Sequence, residues 1–169
     1  MMARERVTFV VGGGDVACEE ALYLTQFASH VYQVLRRDQF RATQAMVDRV
    51  LSNKKITVVY DSGVEEIQGD KRITHVVLKN FKTNESTKME AGALFWAIGH
   101  KPMTDLVNGQ VDMKNGYVLV KGATQQTSVA GFFAAGDCCD AEYRQAVVAA
   151  GSGCKAALDA ERYLGSIKK

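Results

Sequence analysis

The sequence predicts an α/β fold built on a central parallel sheet with a small antiparallel meander. Three observations predict it. Short β-branched apolar runs alternate with helical periodicity over the first sixty residues or so. Three segments of alternating polarity follow, separated by polar turn residues. One more buried apolar run then precedes the only proline of the chain, Pro102, where a boundary between structural units is expected.

Taken in order, Arg6 to Val11 is the first strand, breaking into Gly12-Gly13-Gly14 and then a helical pattern from Asp15 to Ser29. A second strand, Val31 to Leu35, leads through Arg36-Arg37-Asp38 into a helix from Thr43 to Leu51 and a third strand from Ile56 to Val59. The meander is expected at Val64–Ile67, Arg72–Leu78 and Glu85–Met89, with Asn80 to Asn84 as a hairpin tip. The last strand of this set is Ala93 to Ile98. Further on, Gly131 to Ala135 reads as a strand that runs into Gly136-Asp137, and a long Ala-rich helix opens near Tyr143 to Ala146 and runs to about Leu164.

Composition narrows the function. A formal net charge of +2 with no dense basic block gives no nucleic-acid footprint. No segment approaches about 18 consecutive apolar residues, so no membrane span is expected. The chain reads as soluble and cytoplasmic, with an organellar location left open. Cys18, Cys138, Cys139 and Cys154 show neither a C-x-x-C pair nor a zinc spacing. They read as reduced structural thiols, and neither a catalytic residue nor a metal ligand is assigned.

Gly12-x-Gly14-x-x-Ala17 matches a dinucleotide fingerprint in the place physics requires, after a strand and opening a helix. The first glycine permits a tight turn, the second lets a pyrophosphate approach the backbone, and Ala17 lets helix pack on strand. The domain is therefore Rossmann-like. At the end of the second strand, sites for NAD place an acidic residue, whereas Arg36 and Arg37 stand here with Arg41 close behind. Planar guanidinium forks suit a ribose 2′-phosphate, which argues for NADP(H). The competing reading is a solvated loop whose charges merely pair with one another.

Near the C-terminus, Asp137 at a strand end could accept hydrogen bonds from a polyol, and a helix N-terminus near Gln145-Ala146 could face the electron-rich edge of a flavin. Asp137 could equally cap a turn, with Gly151 and Gly153 serving helix packing. The residues alone leave both readings open.

Five blocks now acquire a common meaning: Gly12 to Ala21, Arg36 to Ala42, Ala97 to His100, Phe133 to Asp137, and Tyr143 to Ala146 with Asp159 to Leu164. In order and spacing they resemble the low-molecular-weight thioredoxin reductases. That resemblance implies an NADPH-binding domain at residues 4–100 and the C-terminal half of a split FAD-binding α/β domain at residues 101–169. It implies a homodimeric flavoprotein that passes electrons from NADPH to FAD to a C-x-x-C disulfide to thioredoxin. Gly12, Gly13, Gly14, Asp15, Val16, Ala17 and Glu19 would then surround NADPH, with Arg36, Arg37 and Arg41 on its 2′-phosphate. Gly136, Asp137, Arg144, Gln145 and Ala146 would contact FAD. Val16 stands where the family usually has Ser or Thr, Leu35 where it has His, and Met103 where it has Asn. In the family the redox C-x-x-C and the first flavin fingerprint precede the position of Arg6, so the chain is expected to be inactive alone. The alternative function is a non-catalytic NADP(H)-binding or interaction module.

Overall fold

The computed structural model describes residues 3–167. It forms two compact units, the first ending at Gly99 and the second beginning at His100. No helix among the described residues is long and apolar enough to cross a membrane.

The first unit is organised by β1 (Val7–Val11), β2 (His30–Val34), β3 (Ile56–Val59) and β7 (Ala93–Trp96), hydrogen-bonded in the order β3-β2-β1-β7. All three pairings are parallel. The central strand β1 is apolar on both faces because both faces are covered, as parallel sheets require. On one face Val10, Val31 and Ala93 pack against Ala17, Ala21 and Leu24 of α1 (Asp15–Leu24). On the other, Phe9, Val11 and Val34 pack with Val76, Leu78 and Ala91 of the meander. The meander is β4 (Ser62–Gly69), β5 (Ile73–Asn80) and β6 (Ser86–Glu90), an antiparallel sheet in that order. Both the parallel sheet and the meander thus follow the expected α/β plan. Between β2 and β3 lies α2 (Gln44–Ser52).

The first helix departs most from its expected length. It was expected to reach Ser29 but ends at Leu24. The Leu24 carbonyl accepts the N–H groups of both Phe27 and Ala28, and the Phe27 carbonyl accepts the Glu5 N–H at 2.8 Å. These bonds turn the chain back toward β1. The apolar residues Phe27 and Ala28 continue the helical pattern only by composition.

In the second unit, β8 (Met113–Lys114) and β9 (Tyr117–Val118) form a minimal hairpin through Asn115 and Gly116, whose φ angles of 52° and 85° are those of a two-residue turn. Its core is Val107, Val111, Val118 and Ala134. A long helix, α3 (Ala146–Ile167), is tied to the rest of the unit by contacts that include two along its second half. Asp159, almost wholly buried, accepts the Gln125 N–H at 2.8 Å. Tyr163 lies over Gly131, where a Cβ would come within 2.9 Å of the ring. The expected strand from Gly131 to Ala135 does not form: its pairing is a single antiparallel bridge, Gln126 to Phe133. The run is extended and apolar, and besides that bridge its backbone bonds the loop at Gln125–Thr127, through Ala134 N–H to the Gln125 carbonyl and Thr127 N–H to the Phe132 carbonyl.

Candidate functional site

The turn from β1 into α1 is built on glycines that serve different masters. Gly12 has φ of 146°, and a Cβ there would sit 2.2 Å from the Ala97 carbonyl oxygen and 2.9 Å from the Ala17 Cβ. The protein itself therefore requires that glycine. At Gly13 a Cβ would press on the buried Leu35, at 3.1 Å from its Cγ. Gly14, the residue that opens α1, is different: a Cβ there would meet no atom within 4 Å. Its bare backbone faces open space beside a helix start. No side chain caps α1, and the Val16 and Ala17 N–H groups find no acceptor among the described residues. Unsatisfied donors, the positive end of a helix dipole and open space together make an anion site.

The basic loop after β2 is sewn to this turn. The Gly13 carbonyl accepts the N–H groups of Arg41 and Ala42 at 2.7 and 3.1 Å. The Asp15 carboxylate accepts both the backbone N–H and the hydroxyl of Thr43, at 2.9 and 2.8 Å. These bonds hold the Asp15 carboxyl below its ordinary range, the backbone bond counting most. Asp15, placed by resemblance among the NADPH residues, thus has its carboxylate engaged in joining α1 to the start of α2. Arg36, Arg37 and Arg41 are exposed, and among the described residues no carboxylate lies within ion-pair distance of any of them. Asp38 pairs instead with Lys82, at 3.3 Å. Val16, the second residue of α1, and Glu19, one turn further on, are exposed, and Ala17 is buried against the sheet.

One positioning residue escaped the sequence reading. Gln33 is fully buried in β2, and its Nε2 donates to the Gly12 carbonyl at 3.0 Å and approaches the Cys18 Sγ at 3.5 Å. Its Oε1 has no partner in the described structure. A polar residue in a run otherwise facing the core was the only available signal.

The second constellation is less assembled. Gly136 has φ of 79° and its N–H donates to the Ser152 hydroxyl at 2.9 Å, placing the Gly136–Cys138 turn against α3. Asp137 is exposed and makes no hydrogen bond to the described residues, so the turn-capping reading finds no support. The true cap is Asp140: its carboxylate accepts the N–H groups of Glu142, Tyr143 and Arg144, which lower its pKa. This holds Arg144 at φ 47°, its guanidinium 3.2 Å from His100 Nδ1, just ahead of α3. Gln145 Nε2 turns to the Tyr143 carbonyl, and Ala146 is exposed at the first position of α3.

All four cysteines are free. Burial, with the Cys138 thiol adjacent, pushes the Cys139 thiol up to about 11, and burial likewise raises Cys18. Neither is an activated nucleophile. No cluster of three or more metal-ligating side chains occurs among the described residues.

Comparison with known proteins gives this geometry a context. Residues 2–153 match the family described as pyridine nucleotide-disulphide oxidoreductase. A thioredoxin reductase of Spironucleus barkhanus is 61% identical over 98% of this chain and 55% of its own length. An NADPH-dependent thioredoxin reductase 3 of Arabidopsis thaliana is 52% identical over 95% of this chain and 31% of its own. The solved thioredoxin reductase from Giardia duodenalis superposes with a TM-score of 0.79 at 58% identity, covering 97% of this chain and 54% of that one. The chain spans about half the length of the first relative and of this solved structure.

Proposed function

Since the chain belongs to the pyridine nucleotide-disulphide oxidoreductases, and among them to the thioredoxin reductase family, we propose that it supplies the NADPH-binding part of a flavin-dependent thioredoxin-disulfide reductase. Residues 4–100 are then the NADP(H)-binding domain and residues 101–169 a segment of a split FAD-binding domain. The complete enzyme would act as a homodimer with thioredoxin as electron acceptor.

The observation that carries this reading is the joined pair of anion sites: an uncapped helix start at Gly14 and three arginines without protein partners, held together by the Gly13 carbonyl. A pyrophosphate suits the first and a 2′-phosphate the second. Gly14 leaves room for the pyrophosphate, the Val16 and Ala17 N–H groups are free to donate to it, and Gly12 and Ala17 keep α1 close to the sheet. Arg36, Arg37 and Arg41 carry coenzyme choice. Bound NADPH would supply a hydride; the chain's own part is to fix its phosphates, with the exposed Glu19 the residue proposed to lie near the nicotinamide. In the second segment Asp137, Arg144 and Ala146 are the groups available to FAD, with Gly136 setting the turn and Gln145 next to the helix start.

Titration calorimetry tests the coenzyme assignment. Each charge-assisted contact to a phosphate is worth roughly 1.5–3 kcal/mol, so NADPH should bind well over tenfold more tightly than NADH. Equal affinities would overturn it. The second reading, a binding or interaction module without its own redox chemistry, draws on the cysteines, since no C-x-x-C spacing occurs and burial pushes the Cys139 thiol up to about 11, disfavouring the thiolate. Thioredoxin reduction by the chain with NADPH and FAD added would remove that reading.

A further inference from the structure

The tip of the β5–β6 hairpin reaches the basic loop that follows β2. Lys82 Nζ lies 2.9 Å from Asp61 Oδ2 and 3.3 Å from Asp38 Oδ2, so one ammonium engages both carboxylates. The backbone holds each partner in place. The Asp61 N–H donates to the Arg37 carbonyl at 3.3 Å, and the Asp61 carbonyl accepts the Phe81 N–H at 2.7 Å. The Asn80 side chain accepts the Lys82 and Thr83 N–H groups at 2.9 and 3.0 Å, which sets the tip. Asp61 itself sits in the left-handed region with φ of 51°, a conformation that fixes where its carboxylate points.

We propose that Lys82 is a specificity-determining positioning residue for the 2′-phosphate, holding Asp38 and Asp61 away from the arginines so that Arg36, Arg37 and Arg41 stay free for the ligand. The proposal rests on the NADPH reading above. Exposed ion pairs add little to stability, and Lys82 and Asp38 are each more than half exposed, so the latch matters for what it leaves unpaired. Asp61 is only 18% exposed and needs a cation. Without Lys82, Arg37 is the cationic residue whose backbone is already bonded to that of Asp61, and its exposed side chain has no ion-pair partner among the described residues. Three arginines and one lysine against two aspartates leave the cluster at +2; losing the lysine halves that charge and offers the arginines two competing carboxylates. A dianionic phosphate feels both changes, whereas the 2′-hydroxyl of NADH feels neither. The hydrogen bond to Asp61, with that to Asp38, raises the Lys82 pKa, the direction expected of an ammonium held between two carboxylates.

The test compares NADPH and NADH affinities in the 169-residue chain, in Lys82→Ala, and in Lys82→Ala combined with Asp38→Asn and Asp61→Asn. Lys82→Ala should weaken NADPH about three- to tenfold, the range of one screened charge at a binding rim, and leave NADH within about twofold. The triple variant should recover NADPH affinity, because no carboxylate is left to occupy the arginines. Using the ratio of two ligands on one variant removes any shared loss of folding. An unchanged ratio in Lys82→Ala, in a protein where Arg37→Ala lowers it, would overturn the proposal alone. So would a loss that the two asparagines fail to restore, which would mean that Lys82 touches the phosphate itself. A wild-type chain with no preference for NADPH would overturn the coenzyme reading and this proposal with it.

Discussion

Gly12 and Gly14 sit two residues apart in the same turn, and replacing each by alanine separates what the fold needs from what a ligand needs. At Gly12 the new methyl would lie 2.2 Å from the Ala97 carbonyl oxygen, with φ at 146°. The disallowed backbone costs about 1–3 kcal/mol. Forcing the continuation of β7 away from the turn adds a similar ~1–3 kcal/mol of overpacking, for a total near 2–6 kcal/mol. At Gly14, φ of −92° and ψ of 177° suit alanine, and nothing lies within 4 Å. Its stability change should stay within about 0.5 kcal/mol, since the lost cap preference and the reduced unfolded-state freedom nearly cancel. Trp96, the only tryptophan, lies in β7 beside Ala97, so its fluorescence during urea unfolding reports the first unit. Gly12→Ala should lower the thermal midpoint by about 4–24 °C, taking roughly 2–4 °C per kcal/mol. Gly14→Ala should melt like the wild type yet lose about ten- to a hundredfold in NADPH affinity, the equivalent of one phosphate contact. A stable Gly12→Ala would show the turn to be softer than its geometry. Undiminished NADPH binding by Gly14→Ala would place the pyrophosphate elsewhere.

Further outcomes follow from other residues. Asp15 has its carboxyl pKa lowered by Thr43, so its contribution is present above the ordinary value near 3.8 and is lost as pH falls through the folded value; urea midpoints should therefore drop more steeply below about pH 4 in the wild type than in Asp15→Asn, and parallel curves would remove the clamp. With its thiol at about 11 against an ordinary 9, Cys139 carries about a hundredfold less thiolate at neutral pH, so mass spectrometry after brief iodoacetamide treatment should find the exposed Cys154 alkylated well before Cys139. The 169-residue chain purified alone should hold no stoichiometric flavin, because the groups proposed to meet FAD are one turn, Gly136–Asp137, and one helix start, Arg144–Ala146, with Asp137, Gln145 and Ala146 exposed; an absorbance band near one equivalent per chain would contradict that. It should also fail to reduce disulfides with NADPH, and activity that disappears on Cys138→Ser or Cys139→Ser would promote that pair to a redox role.

The parallel sheet and the meander were legible because their signals are local: β-branched runs, glycine punctuation and alternation each act over a few residues. Ile56–Val59 is a strand for reasons its own residues contain. The end of α1 was not legible, because the bonds that stop it involve Glu5, some twenty residues away. The failure at Gly131–Ala135 is of the same kind, since an apolar extended run becomes a sheet strand only when a neighbouring strand is present to pair with it. At the site, the glycines and arginines announced themselves by type and position. Gln33 and Lys82 did not, because a glutamine in a strand and a lysine at a hairpin tip are both ordinary until the fold brings them to Gly12 and Asp38.

The bonds from the Gly13 carbonyl to Arg41 and Ala42, and from Asp15 to Thr43, carry a kinetic consequence. A phosphate-binding loop that must be ordered by its ligand takes up an entropic penalty at each encounter, and its release waits on the loop reopening. Here the loop is tethered at both Arg41 and Thr43 before any ligand arrives. Coenzyme should therefore arrive at rates set by diffusion and charge steering, and leave without a gating step, with association slowing as salt screens the arginines. Under the proposed NADPH reading, fast exchange of coenzyme is thereby compatible with discrimination, because the loop that carries Arg41 is already bonded in place before the nucleotide binds.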